Sequence, residues 1–108
     1  MIIQYAEEYD VDPNIALSIA WSESRFKNVD NFKFTEDYYS ATGIYQIVKS
    51  TYKHYCGDDV EERRIPEKNI ECAMKIMSTE NGLQHWSESE EIWSSVPVKV
   101  ETLSMYQD

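Results

Sequence analysis

The segment that follows Asp12-Pro13 constrains the fold most strongly. Asp12 before Pro13 is typical of a helix start, with the aspartate as N-cap and the proline in the first turn. The apolar residues that follow cover more than one face of a helix, namely Ile15, Ala16, Leu17, Ile19, Ala20 and Trp21. A surface helix carries one apolar stripe, so this breadth predicts a helix buried at the centre of the domain. The helix ends at the polar run Ser22-Glu23-Ser24-Arg25.

Capping residues and apolar spacing predict four further helices. They are expected at Ile2 to Tyr9, at Lys49 to Cys56 before Gly57, from Pro66 until Asn81-Gly82, and from the capping box Ser87-Glu88-Ser89-Glu90 through Ile92 and Trp93. The segment from Gly57 to Arg64 is predicted to be a charged loop.

One region, between residues 27 and 47, is predicted to be non-helical. Lys27 to Tyr39 is aromatic and polar without a helical period, which indicates a long ordered loop of the kind that is usually functional. Thr42 to Ile47 combines a turn signal with a short alternating stretch. The sequence therefore predicts a mainly α-helical domain with a short β-hairpin or loop region beside the central helix.

Length and composition agree with one compact domain over residues 1–108. The chain has 108 residues, of which 42% are hydrophobic and 13% aromatic, enough for a packed core. No apolar run approaches the roughly 20 residues that cross a membrane, so no membrane span is expected. The N-terminus has no basic region ahead of an apolar one, so no secretory signal is expected in these residues. We expect either a domain excised from a larger protein or one delivered by another system. The sequence of residues 97–108 predicts no role for this tail.

Charge and cysteine content exclude further classes. The formal net charge of −10 argues against nucleic-acid binding, which needs Lys and Arg to displace counterions. The same charge opposes long-range attraction to an anionic wall, although salt screens it beyond about 8–10 Å. Cys56 and Cys72 show no metal-ligand spacing with His54 or His85, so we expect no metal and no cofactor. Buried thiols and a single disulfide both remain open for the cysteine pair.

Glu23 is the candidate for chemistry. It stands at the end of the most apolar helix and before the aromatic loop. Desolvation by apolar walls would raise the pKa of its carboxyl, and the negative end of the helix dipole acts in the same direction. A carboxylic acid that stays protonated near neutral pH can donate a proton to a glycosidic oxygen. On position alone, however, a structural ion pair with Arg25 is the commoner outcome.

An ordered set of short motifs favours a catalytic role of Glu23 over a structural ion pair with Arg25. Val11-Asp12-Pro13 leads to Glu23-Ser24-Arg25-Phe26, and Ser40, Thr42-Gly43-Ile44-Tyr45-Gln46-Ile47, Ser50-Thr51 and Pro66-Glu67-Lys68-Asn69-Ile70 follow in that order. From about residue 5 to residue 86 this pattern resembles the soluble lytic transglycosylase family, which has a goose-type lysozyme-like fold. The most specific steps are Glu-Ser-Arg-Phe and Gly-Ile-Tyr-Gln-Ile.

The resemblance implies a role for each matching residue. Glu23 becomes the catalytic acid and base, and Ser24 an anchor of the helix end. The implied substrate-binding residues are Ser24, Ser40 near the substrate N-acetyl group, Gly43 in a close turn, Tyr45 stacked on a sugar face, and Gln46 along the groove. Asn69 is expected to be structural.

The chain departs from the family near the end of the domain. An Ala-Tyr-Asn-Ala-Gly-like segment, whose tyrosine reaches the active site, is absent, and Leu83-Gln84-His85-Trp86-Ser87 stands in that region. His85 or Trp86 could line the groove in its place, whereas core packing is an equally good reading of Trp86.

The resemblance implies cleavage of peptidoglycan between N-acetylmuramic acid and N-acetylglucosamine, with 1,6-anhydro ends, by a monomer at the bacterial cell wall. Three alternatives stay open. A hydrolytic muramidase would need a second carboxylate, for which Glu36 and Asp37 are the candidates. A glycan-binding module would have lost activity, and a helical protein–protein module would pair Glu23 with Arg25.

Overall fold

The computed structural model describes residues 1–31 and 41–95. This part of the chain contains five α-helices, two short strands and two 3₁₀ helices. In chain order they are α1 (Ile2–Glu8), α2 (Pro13–Ser24), β1 (Asp30–Asn31), β2 (Ala41–Thr42), α3 (Lys49–Tyr55), a 3₁₀ helix (Val60–Arg64), α4 (Pro66–Met77), a 3₁₀ helix (Gly82–Ser89) and α5 (Glu90–Ser95). The mainly helical fold is as predicted.

Helix α2 forms the centre of the domain. Asp12 caps it, because its Oδ1 accepts a hydrogen bond of 2.9 Å from the Asn14 amide. The five consecutive residues Ala16, Leu17, Ser18, Ile19 and Ala20 are buried. A run of this length takes in more than one face of the helix, which confirms the predicted burial. The helix ends at Ser24, and the C-cap residue Arg25 has a left-handed backbone with a φ of 56°.

Helix α4 supplies the second large part of the core. It begins at Pro66 as predicted and buries Asn69, Ile70, Cys72, Ala73, Met74, Ile76 and Met77. It ends at Met77, earlier than expected. Asn81 lies in the turn that follows, Gly82 begins the 3₁₀ helix Gly82–Ser89, and α5 begins at Glu90, the last residue of the predicted capping box.

The segment predicted to be a charged loop contains the 3₁₀ helix Val60–Arg64 and a fully buried arginine. The Arg63 side chain is 0% exposed. Its Nε donates to the Ile47 carbonyl at 3.1 Å and its Nη1 to the Val60 carbonyl at 3.0 Å. These carbonyl oxygens replace water around the guanidinium. The prediction of a charged loop from Gly57 to Arg64 was therefore wrong for residues 60–64, which form a 3₁₀ helix.

The predicted non-helical region contains a small antiparallel hairpin. Asp30 pairs with Thr42 and Asn31 with Ala41. An isolated bridge joins Thr42 to Ile47 and closes the turn that follows β2. The Ser24 hydroxyl donates to the Ile44 carbonyl at 2.8 Å, so this turn is attached to the C-terminal end of α2.

A disulfide joins α3 to α4. Cys56, the residue after α3, is bonded to Cys72 in the middle of α4, with 5.7 Å between the Cα atoms. The pair that the sequence left open is therefore oxidised, and neither sulfur is available as a metal ligand. Within the described ranges, no helix combines the length and the apolar character needed to span a membrane.

Candidate active site

Glu23 is a partly buried carboxyl at the end of α2. The Ser89 hydroxyl donates to its Oε1 at 3.1 Å. Desolvation raises the pKa of Glu23 above its ordinary value, the Ser89 hydrogen bond lowers it in part, and the negative charge of Glu88 raises it further. The net effect is a raised pKa, so this carboxyl keeps its proton to a higher pH than a solvated glutamate does.

Arg25 does not neutralise this carboxyl. Its guanidinium carbon lies 4.7 Å from the centroid of the Trp21 ring, a cation–π contact. Trp21 also contacts Phe26, with ring centroids 5.4 Å apart. Among residues 1–31 and 41–95, the ion pairs found join Arg63 and Arg64 to Glu61 and leave Glu23 aside. The alternative in which Glu23 pairs with Arg25 therefore has no support in the geometry.

The turn after β2 is held by Gly43 and Asn69. Gly43 has a φ of +87°, and a Cβ built on it would lie 2.3 Å from Asn69 Nδ2. That nitrogen donates to the carbonyls of Thr42 and Arg63, while Asn69 Oδ1 accepts from the Tyr45 amide at 2.9 Å. Gly43 thus permits a close approach, and Asn69 has the structural role expected of it.

Tyr45 faces the core and not a ligand. It is 0% exposed, and its hydroxyl donates to the Ala16 carbonyl at 2.7 Å. Burial also raises the pKa of this phenol well above its usual value. The expectation that Tyr45 stacks on a sugar face was therefore wrong, because the apolar ring gains more from packing against α2 than from exposure.

Gln46, His85 and Trp86 come together around a small cavity of about 90 Å³. Gln46 has a φ of 52°, and its Nε2 donates to the carbonyls of Val29 and Gly43, both at 2.8 Å. His85 is exposed and lies 3.1 Å from the Tyr55 hydroxyl through its Nε2. Of the two groove candidates in residues 83–87, His85 is therefore more accessible than Trp86.

Trp86 is mainly a core residue. It is 4% exposed, and its Nε1 donates to the Tyr45 carbonyl at 2.9 Å. Its own carbonyl accepts from Ser89 Oγ and from Trp93 Nε1, each at 3.1 Å. Trp86 therefore connects the turn after β2 with the segment that reaches Glu23.

Ser89 is the site residue that the sequence did not single out. Residues 87–90 were interpreted as a capping box, which accounts for a serine without a role in chemistry. The position of this serine, three residues after Trp86, is a local signal for its hydrogen bond to the Trp86 carbonyl. Its contact with Glu23 depends on the fold. Ser40, Glu36 and Asp37 lie outside the described residues.

A larger hollow, of about 670 Å³, lies along α3. Its lining contains Lys49, Ser50, Lys53, His54, Asp58 and Val60. Among the described residues that line it, none is a predicted site residue, so it is separate from the surroundings of Glu23.

Comparison with known proteins agrees with the order of motifs. Neither the curated proteins nor the solved structures gave a match. The transglycosylase SLT domain family matches residues 1–89, which include Glu23, the turn after β2, α4 and Ser89. The chain therefore belongs to the transglycosylase SLT domain family, whose activity on peptidoglycan is of the lytic transglycosylase type, and its mainly helical fold is that of a small lysozyme-like domain.

Proposed function

We propose that this chain cleaves the β-1,4 bond between N-acetylmuramic acid and N-acetylglucosamine in peptidoglycan, with Glu23 as acid and then base. The observation that carries the proposal is the state of Glu23. Its carboxyl is partly buried, has a raised pKa, and contacts a hydroxyl where a structural glutamate would have a cation. A general acid needs these properties near neutral pH.

In the proposed reaction, the Glu23 carboxylic acid protonates the glycosidic oxygen while the bond from that oxygen to C1 of muramic acid breaks. The acetamido oxygen of the same sugar stabilises the positive charge at C1. The Glu23 carboxylate then takes the proton of the O6 hydroxyl, and O6 bonds to C1. The product is a 1,6-anhydro end, Glu23 is protonated again, and no water, metal or cofactor is consumed.

The hydrolytic muramidase is the closest alternative, because it uses the same substrate and the same acid. An inverting enzyme of this kind positions water with a second carboxylate roughly 6.5–9.5 Å from the acid. Glu36 and Asp37 are the sequence candidates for that group. We prefer the transglycosylase because its reaction needs only one desolvated carboxyl group, that of Glu23.

The experiment is mass spectrometry of the soluble fragments that purified peptidoglycan releases. Wild type, Glu23→Gln and a control, Glu80→Gln, would be compared, since Glu80 is exposed in the turn after α4. We expect anhydro-muropeptides from wild type and the control, and a loss of at least about 100-fold in Glu23→Gln, which cannot donate the proton.

The other outcomes separate the alternatives. Reducing-end muropeptides from wild type would establish a hydrolase and direct attention to Glu36 and Asp37. Equal release by wild type and Glu23→Gln would remove Glu23 as the acid. Binding to walls without release would favour the glycan-binding module. We also propose that the protein acts at the bacterial wall as a monomer. Size-exclusion chromatography with light scattering would check the monomeric state.

A further inference from the structure

The Ser89 hydroxyl lies between two acceptors. Its Oγ is 3.1 Å from Glu23 Oε1 and 3.1 Å from the Trp86 carbonyl oxygen. A serine hydroxyl has one proton to donate and two lone pairs with which to accept. It can therefore donate to only one of these two oxygens at a time, and the protonation state of Glu23 decides which.

Each protonation state of Glu23 has a complete set of hydrogen bonds. When Glu23 is ionised, the Ser89 hydroxyl donates to Oε1, a charge-assisted bond. When Glu23 of the free protein is protonated on Oε1, this O–H can donate to Ser89 Oγ, and the Ser89 proton turns to the Trp86 carbonyl. In the reaction itself the proton that is transferred is carried by the other carboxyl oxygen, and Ser89 then remains a donor to Oε1. The serine thus holds the carboxyl at the same place in both states by rotating one O–H bond.

The Trp86 carbonyl tolerates this rotation because it has a second donor. Trp93 Nε1 donates to the same oxygen at 3.1 Å. When the Ser89 proton turns to Glu23, the partly buried carbonyl therefore remains satisfied, and no desolvation penalty opposes the change. Trp86 is itself fixed by the bond from its Nε1 to the Tyr45 carbonyl at 2.9 Å.

The charges around Glu23 do not replace this hydrogen bond. The described helices that pack on α2 include α1, α5 and the 3₁₀ helix Gly82–Ser89, and Tyr45 of the turn after β2 also contacts α2. Their titratable and charged side chains are Tyr5, Glu7, Glu8, His85, Glu88, Glu90 and Glu91, and Arg25 after α2 lies over Trp21. The charge of Glu88 repels the Glu23 carboxylate and raises the pKa of Glu23, whereas the hydrogen bond from Ser89 favours the carboxylate and lowers that pKa.

We propose that Ser89 is a positioning residue that orients the Glu23 carboxyl in both protonation states, as donor to the carboxylate and as acceptor from the carboxylic acid. The inference rests on the proposed function, in which Glu23 must be first an acid and then a base. Ser89 has no contact with the substrate in the proposed reaction and acts through Glu23.

The test measures the pKa of Glu23 directly, by NMR titration of its side-chain carboxyl carbon in the folded protein. The variants are Ser89→Ala, Ser89→Thr, which keeps the hydroxyl, and Ser94→Ala as control. Ser94 is exposed on α5, and its hydroxyl donates to the Glu90 carbonyl, away from Glu23. We expect a higher Glu23 pKa in Ser89→Ala, and wild-type values in Ser89→Thr and in the control.

The pH–rate profile of fragment release gives a second readout. In Ser89→Ala, kcat should fall about tenfold or more with KM unchanged, because misplacement of a catalytic group is costly in the transition state. The alkaline limb should move to higher pH, since Glu23 must start protonated. A serine that only supports the fold would lower the melting temperature without moving this limb.

A third measurement needs no variant of Ser89. In the wild type, the Ser89 Cβ resonance should titrate with the pKa of Glu23, and in Glu23→Gln this titration should disappear. Unchanged Glu23 pKa in folded Ser89→Ala, or a Ser89 resonance that does not follow Glu23, would overturn the inference. Because the NMR results do not depend on activity, absence of fragment release by the wild type would count against the proposed function alone.

Discussion

At the scale of the residue, the properties of Glu23 follow from what surrounds its carboxyl. The end of an apolar helix desolvates it, Glu88 repels its charge, and Ser89 compensates in part. Arg25, two positions further along the chain, ends the helix with a left-handed backbone and lies over Trp21. A glutamate in such surroundings is costly to ionise, and this cost should be visible in the stability of the protein.

We expect Glu23→Gln to stabilise the fold at neutral pH. The folded pKa of Glu23 is raised above its unfolded value, so the folded protein binds this proton more tightly. The penalty is absent below the unfolded pKa, grows as the pH rises towards the folded pKa, and persists above it. Glu23→Gln should therefore melt at a higher temperature than wild type at pH 7 and at the same temperature below about pH 4.

Melting curves by circular dichroism across this pH range would check this prediction. Glu80→Gln is the matched control and should show no such pH-dependent gain. A gain for Glu23→Gln that is equal at pH 4 and pH 7 would contradict the raised pKa, because an amide substitution would then act through something other than charge.

At the scale of the element, the turn after β2 depends on the close contact of Gly43 with Asn69. Asn69 bonds three backbone groups, on Thr42, Tyr45 and Arg63, and all its bonds lie in the core. This side chain joins the turn, the 3₁₀ helix Val60–Arg64 and α4. Asn69 can make these hydrogen bonds only because position 43 has no side chain, since a Cβ there would lie 2.3 Å from Asn69 Nδ2.

We expect Gly43→Ala to destabilise the domain more than Gly57→Ala does. Both glycines have a positive φ, of +87° and +148°, so both alanines strain the backbone. The new Cβ at position 43 would also meet Asn69, whereas nothing lies within 4 Å of the one at position 57. The extra loss in the free energy of unfolding should be about 1–3 kcal/mol, typical of overpacking.

Urea denaturation of both variants would measure the difference. Because both glycines have a positive φ and only Gly43 has close neighbours, the comparison reports mainly the collision of the new Cβ with Asn69 and with the Arg63 carbonyl oxygen. Equal losses, or a larger loss in Gly57→Ala, would mean that Asn69 can move aside and that the turn is less constrained than the contact distances imply.

At the scale of the whole molecule, a small acidic domain gains stability from a covalent link. The net charge of −10 is a source of self-repulsion in the folded state. The disulfide between Cys56 and Cys72 closes a loop with a sequence separation of 16 and ties α3 and the 3₁₀ helix Val60–Arg64 to α4. Such a link restricts the unfolded chain and thereby favours the fold.

We expect the double variant Cys56→Ser, Cys72→Ser to lose about 3 kcal/mol of unfolding free energy, the amount typical of a loop of this size. Urea denaturation would measure the loss, and wild type with a reducing agent should show the same decrease. A midpoint identical to that of the oxidised wild type would show that the disulfide contributes nothing to the stability of this domain.

The sequence by itself determined the features that depend on neighbouring residues. Asp12 and Pro13 set the start of α2, Pro66 set the start of α4, and the breadth of apolar positions after Asp12 predicted a buried helix. Capping and periodicity act over a few residues, so they can be read locally. The order of motifs around Glu23 likewise indicated the family before any packing was known.

Only the tertiary structure decided which side chains are buried and which remote groups meet. It placed Tyr45 and Arg63 in the core, joined Cys56 to Cys72, and brought Ser89 to Glu23 across 66 positions of the chain. Such contacts arise because whole elements pack to bury apolar surface, and each buried polar group then takes the partners that packing supplies. A local pattern carries no information about those partners.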